Sequence, residues 1–136
     1  MGIAGNLFNA VSPDTSAGLS ILAGDLPYYH LEDEGTESAM TSLVFPDGST
    51  RSLVWWGGPK LPEVSGGVIA RYADTQEPAM IETTAGAGLV ILSGPHPEAP
   101  EDWRTKLGLS DSDGLDQDLA RKMIQAAVSR QRLVAF

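Results

Sequence analysis

Two side chains in this sequence have the types and the spacing for proton transfer, His96 and Glu98, with Pro97 fixing the backbone between them. In an extended stretch, residues i and i+2 point to the same side. A carboxylate placed there accepts a hydrogen bond from one imidazole N–H, sets the tautomer and raises the basicity of the ring. That is the task of the third member of a nucleophilic triad. The competing reading is a turn whose histidine only caps a strand, and the residues by themselves leave both open.

The element that must position this pair is the run before it. Leu89-Val90-Ile91-Leu92 is wholly apolar, with Gly86 and Gly88 on one side and Ser93-Gly94-Pro95 on the other. It is too short for a helix and is closed off by breakers, so the expectation is a fully buried strand that delivers His96 and Glu98 into a loop. Gly86 and Gly88 are turn chemistry: no helix follows them, and the Lys-Ser/Thr pair of a phosphate loop is missing.

Taken together, Gly86-x-Gly88-Leu89-Val90-Ile91-Leu92-Ser93-Gly94-Pro95-His96-Pro97-Glu98 resembles the end of class I glutamine amidotransferase-like domains. More narrowly, it is similar to the branch named after the N-terminal domain of biotin-protein ligase. Upstream pieces agree in order: Gly2-Ile3-Ala4-Gly5, Gly18 to Asp25, Trp56-Gly57-Gly58-Pro59, and Val68 to Tyr72 followed by Pro78-Ala79. The resemblance covers roughly residues 1 to 105. It implies an α/β, three-layer, flavodoxin-like fold in which a Cys on a strand-to-helix elbow is the nucleophile. By that resemblance His96 is the base, Glu98 its orienting partner, and Gly2, Ile3, Ala4 and Gly5 the remnant of the elbow.

The departures decide more than the match. The chain holds no cysteine. The nucleophile position falls on Ile3 or Ala4, and neither side chain can attack a carbonyl. Cysteine-dependent amidotransfer is excluded for this chain as written. Nothing corresponding to the strands and helices before the elbow is present, so residues 1 to 136 are expected to form a single domain resembling the later half of the family fold. That half comprises antiparallel hairpins and a C-terminal helix. Its sheet should expose an apolar edge that another copy or a partner chain covers.

Composition narrows the function classes. At 136 residues, 42% apolar and 20% charged, the chain fits one globular domain with a real core. A net charge of −9 argues against nucleic acid and against anionic membrane surfaces. No apolar run reaches membrane-spanning length and no signal peptide is evident, so a cytoplasmic location is expected. No cofactor or metal is expected either. His30 beside Glu32 and Glu34 reads as a solvated loop rather than a metal site, because one histidine with flexible acids is a poor ligand set.

Along the chain, Ile3 to Val11 shows the spacing of a two-turn amphipathic helix, and Gly18 to Leu22 is a short apolar segment. Met40 to Phe45 and Thr50 to Trp56 flank Pro46-Asp47-Gly48-Ser49, a hairpin turn. Trp55 and Trp56 must then face opposite sides, one to the core and one to a surface or cleft. Trp56 with Gly57-Gly58-Pro59 is either a pocket wall or a plain strand exit. Residues 67 to 73 and 79 to 84 are further strands. Pro100 to Leu107 is a short helix, 109 to 113 a linker, and about 114 to 132 a helix with Leu115, Leu119, Met123, Ile124, Ala127 and Val128 on one face.

Two functions remain. The first is a degenerate, non-catalytic amidotransferase-like domain that binds or assembles. The second is a hydrolase with His96 as general base, Glu98 as orienter, and water or a serine as nucleophile. Ser12, Ser16 and Ser93 qualify by type only, as none sits in a Gly-x-Ser-x-Gly elbow. A third arrangement, in which a second polypeptide supplies the missing half and its Cys, ranks below the first.

Overall fold

The computed structural model describes residues 38–136. The expectations for the helix at 3–11, the segment at 18–22, the elbow remnant Gly2 to Gly5, Ser12, Ser16 and the His30 loop lie outside the described residues. The rest is a mixed α/β fold: a curled, five-stranded antiparallel sheet and two helices. The strands are β1 (Ser38–Val44), β2 (Thr50–Trp56), β3 (Val68–Tyr72), β4 (Pro78–Ala85) and β5 (Gly88–Ser93), in spatial order β2-β1-β3-β4-β5. The helices are α1 (Glu101–Leu107) and α2 (Gln117–Ser129).

The β1–β2 hairpin turns where Pro46-Asp47-Gly48-Ser49 requires it. Asp47 accepts from the Ser49 backbone N–H at 2.9 Å, and Gly48 takes φ +81°. Its seven paired residues put Trp55 in the core, 1% exposed, and Trp56 outside, 46% exposed. Register shifts between β3 and β4 around Ala70 add local twist, which helps the sheet curl. The curl brings the two ends of the strand order together: past β5 the chain crosses to β2, where the His96 N–H donates to the Val54 carbonyl at 2.8 Å.

One face packs Leu43, Leu53, Trp55, Ile69, Tyr72 and Met80 against Leu119 of α2. The other closes over Leu61, Val68, Ile81 and Leu92. Each fully buried large apolar side chain contributes about 1.5–3 kcal/mol, so these two clusters carry the fold.

Two expectations are corrected. Leu89, Val90 and Ile91 are only partly buried, because among the described residues β5 pairs with β4 alone and is the end strand of the order. An apolar run reports a strand but not its place in the sheet. The long helix is also shorter than expected, running from Gln117 to Ser129 and ending at Arg130 in the left-handed region, φ 57°. Its inward stripe is Leu119, Met123, Ala126 and Ala127, whereas Leu115, Ile124 and Val128 are exposed. A 13-residue helix lying along one strand can bury only a narrow face.

Candidate functional site

The loop from Ser93 to Glu98 is fixed at nearly every residue. Gly94 donates to the Ala79 carbonyl at 2.9 Å, and the Ser93 hydroxyl donates to the Pro95 carbonyl at 2.5 Å. Gly94 also lies against Gly58 so closely that a Cβ on Gly58 would stand 1.9 Å from the Gly94 oxygen. Only glycine fits at position 58, and this contact seats the loop against the end of β2. Gly57, Gly58 and Pro59 are buried behind the loop; the Gly58 carbonyl accepts from Trp55 Nε1 at 2.9 Å and that of Pro59 from the Tyr72 hydroxyl at 3.1 Å.

On this support His96 Nδ1 lies 2.8 Å from Glu98 Oε1. The pairing places the proton on Nδ1 and leaves the Nε2 lone pair as acceptor. The hydrogen bond from His96 holds the Glu98 carboxyl below the usual carboxylate range, against partial burial that would raise it. The pair stands at the surface, the two side chains 28% and 60% exposed. Trp103 of α1 meets both His96 and Trp56 edge to face, with centroids 5.6 and 5.5 Å away. Trp56 therefore joins His96 through an aromatic contact, while Gly57 to Pro59 form the layer beneath.

Among the described residues no hydroxyl hydrogen-bonds to His96. Ser93, the one serine candidate described, turns its proton to a backbone carbonyl. Nor do three His or acidic side chains among the described residues come together as a metal set.

A second group of ionisable residues was not foreseen. Arg104 of α1, 5% exposed, donates Nε to Asp111 at 2.5 Å and Nη1 to the Ala99 carbonyl at 2.6 Å. Asp116 lies 3.5 Å from Arg104 and 3.4 Å from Arg51, distances too long to offset its burial. That burial pushes its carboxyl up to about 6, opposed by Arg51 and aided by the neighbouring charges of Asp113 and Asp111. Asp118, held bidentately by Arg51 at 2.7 Å, drops to about 2. Residues 109–113, expected to be a linker, instead anchor both sides, since Asp113 also accepts from the Ser52 N–H at 2.8 Å. Glu82, fully buried on β4, accepts from Arg132 Nε at 2.7 Å and the Leu133 N–H at 2.9 Å. The ion-pair partners in these groups are 7 to 67 residues apart in sequence, so no local spacing could have shown them.

No family model, curated protein or solved structure matches the chain.

Proposed function

We propose that this chain is a degenerate, non-catalytic class I glutamine amidotransferase-like domain, of the biotin-protein ligase N-terminal branch, that acts by binding or assembly. In this reading residues 38–136 are the later, antiparallel part of a three-layer fold in a cytoplasmic protein. The supporting observation is a fully formed His96–Glu98 pair whose free imidazole nitrogen meets no nucleophile among the described residues.

Assembly has a surface to use. Gly94 donates to Ala79, so pairing along β4–β5 alternates from there: Val90 and Leu92 bond inward, and the backbone groups of Leu89, Ile91 and Ser93 point outward. That edge carries no charge and no proline, the residues that normally discourage strand addition. A second copy or a partner strand covers it. Light scattering at several concentrations is expected to give a dimer or larger species, with Leu89→Lys shifting it toward monomer and His96→Ala leaving it unchanged. A monomer throughout would remove the assembly half of the proposal.

The alternative is a hydrolase, favoured by one observation: the tautomer set by Glu98 leaves Nε2 ready to take a proton from water or a serine. It predicts turnover of amide or ester substrates that vanishes in His96→Ala.

A further inference from the structure

Beside the His96–Glu98 loop, β5 and α2 separate enough to leave a pocket of about 340 Å³. Its walls are Ile91 from β5, Pro97 from the loop, and Ala120, Met123, Ile124 and Ala127 from α2. The two alanines open the space, since larger side chains at 120 and 127 would fill it. Among the described residues only two polar side chains reach it, Ser93 and Glu98, both at the loop end. An apolar cleft with a few convergent polar groups is the usual form of a small-ligand site, and this volume is at the small end of the range.

We propose that this pocket binds a small ligand with an apolar body and a primary ammonium head, the body against Ile91 and Met123 and the head paired with Glu98. The geometry at the loop supplies the selectivity. Glu98 is an acceptor, a carboxylate that the hydrogen bond from His96 Nδ1 favours in its charged form. Ser93 spends its proton on Pro95, so its oxygen can only accept. Both polar groups therefore want donors, which an ammonium has and a carboxylate lacks. Among the described residues no cationic side chain lines the pocket, and the net charge of −9 adds to the preference.

The inference rests on the binding role proposed above but can fail separately from it. Titrating the full ¹⁵N-labelled chain with hexylammonium, 1-hexanol and hexanoate tests it by amide shifts. Hexylammonium is expected to move the amides of Ile91, Ser93, Ala120 and Ala127 and to bind about fivefold more tightly than hexanol, the worth of a solvent-screened ion pair. Hexanoate should bind most weakly, and Glu98→Gln should make amine and alcohol equal. Equal affinity of amine and alcohol in the unmodified chain, or shifts confined elsewhere, overturns the proposal without reference to any variant. Turnover of substrates would sink the non-catalytic reading and leave this result standing.

Discussion

Glu98 and Glu82 belong to the same hairpin region and meet opposite fates. Glu82 is sealed under the C-terminal residues, with each carboxylate oxygen taken by Arg132 or the Leu133 N–H. Glu98 stands in the open with one imidazole partner among the described residues. The Arg104–Asp111–Asp116 junction sides with Glu82, and among the described residues no buried side-chain N or O lacks a partner. Buried charge must be matched group for group, because a lone one costs several kcal/mol. It therefore serves architecture. An exposed pair contributes little to stability, so it can be kept or lost according to what it binds.

That contrast breaks most sharply at Arg104. Arg104→Ala leaves Asp111 and Asp116 without their shared cation and should cost about 3–5 kcal/mol, read as a fall in the urea midpoint. Glu82→Gln keeps the volume but gives Arg132 a neutral acceptor and turns an amide N–H₂ toward Leu133. A loss of about 1–3 kcal/mol is expected, with faster hydrogen exchange at the Leu133 and Phe136 amides. An unchanged midpoint in either variant would mean that these charges do not hold the fold.

A subtler effect comes from pH. Asp116 titrates near 6 in the folded chain, above its ordinary 3.8, so the folded state binds its proton more tightly than the unfolded one. Its contribution to stability is present below about 4 and is lost as pH rises through about 6. Asp118, near 2 when folded, works the other way: its contribution is present above about 4 and is lost as pH falls toward 2. Denaturation between pH 4 and 7 should therefore show a slope that Asp116→Asn flattens. A slope that survives this variant would point to another group.

The smallest change is expected at the open pair. His96→Ala should cost less than about 1 kcal/mol, since it removes a surface hydrogen bond and one edge contact with Trp103. A larger loss would place His96 among the architectural charges.

The same contrast separates what could be read in the chain from what could not. The β1–β2 turn, the opposed Trp55 and Trp56, the short helix after Pro100 and the joining of His96 to Glu98 all follow from neighbours within a few residues. The partial exposure of β5 and of Ile124 and Val128 does not. A run of Leu, Val and Ile is equally apolar at the middle or the end of a sheet. Glu82 gives no sign of burial either, as its partners arrive from 50 residues away. The candidate site was legible because it is local, and the stabilising network was hidden because it is not.

One measurement bears most directly on the proposed role. The purified chain and its His96→Ala variant would be assayed side by side on a broad panel of amides and esters, from pH 5 to 9. No turnover by either is expected, because the free nitrogen of His96 has no nucleophile beside it among the described residues. Turnover by the unmodified chain that disappears with the imidazole would contradict the non-catalytic reading and make His96 and Glu98 a working base and its orienter.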